Sequence, residues 1–105
     1  MKFGIQEEAL DKIVRVLTTA PQVESVILYG SRAKGTFRAG SDIDLCLEAP
    51  TLDFQTLLKI ENELDDLLLP WKIDLAFKHR IDNPELRSHI DRVGKVVFKR
   101  KGDGI

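Results

Sequence analysis

Apolar residues recur at helical spacing through residues 5–19 of the chain. Ala9, Ile13, Val16 and Leu17 continue to Ala20, and Pro21 stops the run. Val23–Tyr29 is rich in β-branched residues and is closed by Gly30, which predicts a buried strand. Residues 31–41 hold Gly35, Gly40 and the basic residues Arg32, Lys34 and Arg38; they read as a short helical turn followed by a loop. From Asp42 the period changes to two. Ile43, Leu45 and Leu47 point one way, and Asp42, Asp44 and Cys46 point the other, as in a strand over 43–47.

A second helix is predicted over 53–69. Asp53 is its N-cap, Leu52 and Leu57 take the hydrophobic-staple positions, and Leu57, Ile60, Leu64, Leu67 and Leu68 form its buried stripe. Pro70 ends it. Trp71–Phe77 reads as a third strand, with Ile73, Leu75 and Phe77 on one face and Lys72, Asp74 and Ala76 on the other. Asn83 and Pro84 open a third helix that turns Leu86, Ile90 and Val93 inward and is capped by Gly94. Val96–Phe98 reads as a short last strand. This order predicts an α/β (α+β) fold, a mixed sheet covered by helices, with residues 1–105 as one domain.

Composition narrows the function classes. The chain has 105 residues, 43% hydrophobic and 31% charged, enough for one core but with little area left for a second substrate-binding domain. No apolar run approaches bilayer length, so no membrane span is expected. The first residues lack the apolar core of a secretory signal, and a single cysteine, Cys46, forms no intrachain disulfide. Both favour the reducing cytoplasm. A net charge of −1 makes direct nucleic-acid binding an unlikely role. The terminal basic cluster Lys99, Arg100 and Lys101 reads as a solvated tail.

The chemistry concentrates in Tyr29-Gly30-Ser31-Arg32-Ala33-Lys34-Gly35 and Ser41-Asp42-Ile43-Asp44-Leu45. Carboxylates two apart on a strand share a face and repel unless a cation sits between them. Hard oxygen ligands suit Mg²⁺, which usually takes one or two carboxylates plus phosphate oxygens. Asp74 lies on the polar face of its own strand. If that strand lies beside Ile43–Leu47, three carboxylates converge and can hold two Mg²⁺ ions, an arrangement that stabilises both the attacking and the leaving oxygen of an in-line displacement at phosphorus. Gly30 lets backbone approach a ligand closely, and Ser31 offers N–H and hydroxyl donors. Arg32 and Lys34 are candidates to neutralise the remaining triphosphate charge. Together they would hold ATP or another nucleoside triphosphate as its magnesium complex.

Gly30-Ser31, ten residues, then Asp42-Ile43-Asp44 resembles the signature of the DNA polymerase β-like nucleotidyltransferase superfamily. The string GSRAKG…SDIDL is especially similar to the minimal nucleotidyltransferases, often paired with a helical HEPN-domain protein as a toxin–antitoxin module. The resemblance covers the path from the first strand to Asp74. It implies metal ligation by Asp42 and Asp44, and a third carboxylate, Asp74, that binds metal and deprotonates the attacking hydroxyl. It implies transfer of a nucleoside monophosphate to an acceptor hydroxyl, on a tyrosine of the partner HEPN toxin. Larger members carry a further domain for base and acceptor, which has no counterpart here, so an acceptor from another subunit or a homo-oligomer is expected. Two alternatives remain: an antitoxin that neutralises its partner by masking alone, and a small-molecule nucleotidyltransferase acting on an antibiotic.

Other residues read more plainly. Cys46 is expected to be an inert small core residue. His79 and His89 lack metal-ligand spacing and default to surface or core roles. Trp71 and Phe77 read as core aromatics, and an exposed edge of the Leu57–Leu68 helix or the first helix is the place for an interface.

Overall fold

The computed structural model describes residues 1–100. Its elements are α1 (Glu7–Thr18), β1 (Ser25–Tyr29), α2 (Gly30–Lys34), β2 (Ile43–Glu48), α3 (Phe54–Asp66), β3 (Ile73–Phe77), a 3₁₀ turn (Lys78–Arg80), α4 (Pro84–Val93) and β4 (Lys95–Lys99). The strands form one sheet in the order β3-β2-β1-β4. β1 is antiparallel to β2 and β4, whereas β2 and β3 run parallel, so the sheet is mixed.

Strand alternation gives the sheet two different faces. Val26, Leu28, Ile43, Leu45 and Leu47 are fully buried on one, against Ile13 and Leu17 of α1 and Ile60 and Leu64 of α3. Burying each such side chain contributes roughly 1.5–3 kcal/mol, so this layer carries most of the stability. The opposite face holds a smaller cluster of Ile27, Cys46 and Ile90, flanked by Tyr29, Ile81 and Leu86. α4 therefore covers only part of that face. Beyond it, the same face continues through the rows Tyr29, Asp44 and Asp74.

The helix ends follow from local chemistry. Asp53 accepts from the Thr56 N–H at 3.1 Å, and Asn83 accepts from the Glu85 N–H at 2.9 Å, so both predicted N-caps are made. Gly94 ends α4 in extended backbone rather than in a left-handed cap. A Cβ there would overlap the Ile90 carbonyl and stand 2.7 Å from Ile27 Cγ2, so close packing demands the glycine. The second predicted helix runs too far at its end. α3 stops at Asp66, and Leu68 takes a left-handed φ of 54° and is 88% exposed, outside the buried stripe.

Arg32 is the largest fully buried side chain, 1% exposed. Its Nη1 donates to the Phe3 carbonyl at 2.9 Å, and its Nη2 and Nε donate to the Ser41 carbonyl at 2.9 and 3.2 Å. A longer bond runs from Nη2 to the Ala39 carbonyl at 3.4 Å. The guanidinium lies over the rings of Phe37 and Trp71, and the Trp71 indole N–H also donates to Ala39. One cation thus ties the N-terminal segment to the loop that delivers Asp42. Arg100 does similar work at the other edge of the sheet. It donates to the carbonyls of Val23, Thr18 and Ala20 at 3.1, 3.2 and 3.4 Å, so it is a brace and not the solvated tail expected of it. Lys101 lies outside the described residues.

Replacing Arg32 with methionine keeps an apolar stem but strands several carbonyls. Arg32→Met is expected to lower stability by about 3 kcal/mol, through unmade hydrogen bonds to buried acceptors. Urea unfolding checks it: the midpoint falls while the slope is unchanged. An unchanged midpoint contradicts the role.

Candidate functional site

β1 ends at Tyr29, and the chain turns at once into α2 through Gly30 at φ +74°, a left-handed backbone that favours glycine. Space makes the same demand. A Cβ on Gly30 would overlap the Asp44 carboxylate. β2 runs antiparallel beside β1 and puts Asp44 opposite Tyr29. β3 runs parallel beside β2 and puts Asp74 opposite Asp44. Three neighbouring strands therefore present Tyr29, Asp44 and Asp74 in one row on one face, with the Gly30-Ser31 turn against its middle member. Asp42 sits two residues before Asp44, exposed at the rim.

The electrostatics follow from that row. The Asp44 carboxyl is raised above the usual carboxylate range, first by burial, then by Asp74 and Asp42. Tyr29 is pushed up to about 12, by burial first and then by Asp44, so its phenol stays protonated. Asp74 has a cation near, Lys72 at 3.6 Å, but both side chains are largely exposed and the pair is weak. Cys46, one step deeper on the same face, is fully buried and raised to about 11 by desolvation, which fits the inert role expected of it.

The sequence-derived candidates separate here. Gly30, Ser31, Asp42, Asp44 and Asp74 gather at one end of the sheet. Lys34 is exposed at the end of α2. Arg32 does not join them: its guanidinium is used up by the carbonyls of Phe3, Ala39 and Ser41. The expectation that Arg32 neutralises phosphate charge is corrected accordingly; it shapes the loop before Asp42 instead. The reason is its place on α2, on the side turned towards the N-terminal segment.

One neighbour was missed. His89, in the middle of α4, accepts the Gly30 N–H through Nε2 at 3.1 Å and packs edge-on against Tyr29 with ring centroids 6.2 Å apart. Its helical spacing from Ile90 said only that it borders the packed face; no local signal ties it to a glycine 59 residues earlier.

Among the described residues, no three His, Cys, Asp or Glu side chains form a ready-made metal cage. Two carboxylates side by side with one more at the rim are instead the donor set for a hard cation that completes its shell with phosphate oxygens and water. The mutual repulsion recorded by Asp44 is what such a cation would relieve. On chemistry, the residues fit Mg²⁺.

A family model described as polymerase beta, nucleotidyltransferase matches residues 11–103. The chain belongs to this nucleotidyltransferase family. A Methanocaldococcus jannaschii protein, provisionally named a protein adenylyltransferase, is 33% identical over 86 residues, 81% of this chain and 87% of that one. Among solved structures, a toxin–antitoxin with AMP-PNP matches with a TM-score of 0.68 at 25% identity, covering 94% of this nucleotidyltransferase and 77% of that chain. A complex of a tri-AMPylated Shewanella oneidensis HEPN toxin with its MNT antitoxin matches with a TM-score of 0.66, over 91% of this chain and 74% of that one; at 22% identity it speaks to the fold alone. The mixed sheet with its helices is thus the nucleotidyltransferase fold, and nucleotidyl transfer is the family's activity.

The raised Asp44 carboxyl has a stability consequence. A carboxyl that ionises later in the fold than in the unfolded chain costs nothing at low pH, where both states hold the proton. Stability is lost as pH rises past the unfolded value, near 4 by ordinary carboxylate behaviour, towards the higher folded one. Asp44→Asn is therefore expected to raise the melting temperature of the nucleotide-free protein at neutral pH, with the gain vanishing in acid. Thermal melts at the two pH values check this. A neutral-pH loss of stability contradicts it.

Proposed function

We propose that this protein transfers the AMP moiety of ATP to a hydroxyl of a helical HEPN-domain partner, as the antitoxin of a toxin–antitoxin pair in a reducing cytoplasm. The observation that carries the reading is the in-register pair Asp44 and Asp74 beside Gly30 and Ser31. The likeness to protein adenylyltransferases and to a toxin–antitoxin with AMP-PNP supports the donor and the kind of acceptor.

In this reading Ser31 offers its hydroxyl to the phosphates, and exposed Lys34 adds positive charge. Asp42 and Asp44 would hold the magnesium of the nucleotide complex, and Asp74 would complete a second metal site. The metal, when bound, lowers the repulsion between anions and steadies the charge that builds on the attacking and leaving oxygens. The acceptor oxygen bonds to the α-phosphorus while the bond to the bridging oxygen breaks, and pyrophosphate departs. Asp74, opposite Asp44 on the neighbouring strand, takes the hydroxyl proton. One domain of this size builds the donor site, and the partner supplies the acceptor. Tyr29 lies in the same row with its proton firmly held, so it orients and packs rather than acting as a base.

The test is label transfer from α-labelled ATP with magnesium to a co-expressed HEPN protein. Asp42→Asn and Asp44→Asn are each expected to cut the rate by about 100-fold or more, a typical loss when a group that stabilises the transition state is removed. Label that persists in the double variant sinks the enzyme reading. Neutralisation of the partner that survives in the inactive variants would move the assignment to masking alone.

A further inference from the structure

We infer that His89 of α4 is a positioning residue for the nucleotide turn. This rests on the reading of Gly30-Ser31 as the triphosphate seat.

Gly30 is held from two sides. Its Cα lies against the Asp44 carboxylate, so closely that no side chain fits. Its N–H is taken by His89 Nε2 at 3.1 Å. With Nε2 as acceptor, the proton of the neutral ring belongs on Nδ1. The ring is itself braced, because it stands edge-on to Tyr29, the residue that leads into the turn. The next residue, Ile90, is buried against Ile27 and Cys46, and Gly94 closes the helix end against Ile27. α4 is therefore anchored on the same sheet face as the carboxylate row. His89 is the side chain through which that anchoring reaches the turn.

The turn needs such support. A five-residue helix is too short to hold its own first turn, because nucleation is costly and little propagation follows. Gly30 also has the loosest backbone of any residue type. An external acceptor on its N–H fixes the Tyr29–Gly30 peptide plane, from which the chain turns into Ser31 beside Asp44. Displacing a positioned group by about 1 Å is enough to cost a large part of a reaction rate. Holding the turn in place before the ligand arrives removes an ordering cost from binding.

Two variants separate positioning from plain packing. His89→Phe keeps the ring against Tyr29 and removes the acceptor. His89→Gln restores an acceptor at about the reach of Nε2. The readouts are titration of each folded protein with AMP-PNP and magnesium, hydrogen exchange of the Gly30 amide, and, with the partner, KM for ATP against kcat. In His89→Phe, nucleotide affinity is expected to fall about three- to tenfold, the range set by one neutral hydrogen bond. The Gly30 amide is expected to exchange faster, the melting temperature to stay close to wild type, and His89→Gln to recover most of the affinity. Wild-type affinity and unchanged Gly30 exchange in His89→Phe overturn the inference while leaving the enzyme reading intact. Equal losses in the two variants, both with lowered melting temperature, assign His89 to packing alone. A wild-type protein that binds no nucleotide overturns the reading beneath it as well.

Discussion

Asp44 and Asp74 stand opposite one another on parallel strands, which in any sheet lie about 4.8 Å apart. Backbone hydrogen bonds fix that spacing, so the side chains cannot retreat from each other by sliding along the sheet. Asp42 adds a third negative charge two residues away, and the Gly30 turn blocks one side of Asp44. With its burial, which is the largest cause, the result is a carboxylate that ionises reluctantly. A fold assembled only for stability would put a neutral residue there. A cation brought in with an anionic substrate would relieve that repulsion.

The cost is carried by the opposite face. The layer of Leu28, Ile43, Leu45 and Leu47 against α1 and α3 is dry and fully buried, and it is independent of the acidic row. Substitutions in the acidic row are therefore expected to leave the fold intact. Two buried or braced arginines stabilise the irregular segments in a way apolar packing does not. Arg32 ties the Phe3 carbonyl of the N-terminal segment to the Ala39 and Ser41 carbonyls before Asp42, and Arg100 gathers the carbonyls of Thr18 at the end of α1 and of Ala20 and Val23 beyond it. Each supplies side-chain donors to backbone acceptors in irregular segments.

Periodicity made most of the fold legible. Alternation over 43–47 and 71–77, helical spacing in the first and third helices, and the cap residues Asp53 and Asn83 led to the right elements. The carboxylate spacing and the glycine-serine pair were legible for the same reason: strand geometry converts a spacing of two into a shared face. What failed depended on direction in space. Arg32 looked like a phosphate ligand because a basic residue beside a glycine turn carries no mark of which way its side chain leaves the helix. Leu68 looked buried because the leucine run continued past the point where α3 unwinds. His89 was invisible because its contact with Gly30 exists only once α4 lies across the sheet, and spacing alone does not supply the parallel pairing of β2 with β3.

The central claim is that the acidic row receives a metal–nucleotide complex. Calorimetric titration with AMP-PNP, in the presence and absence of magnesium, tests it most directly on wild type and on a folded Asp44→Asn, Asp74→Asn double variant. The account expects one nucleotide per chain, bound only with magnesium present, and no binding by the double variant. Equally tight binding without the metal, or undiminished binding by the double variant, would contradict it.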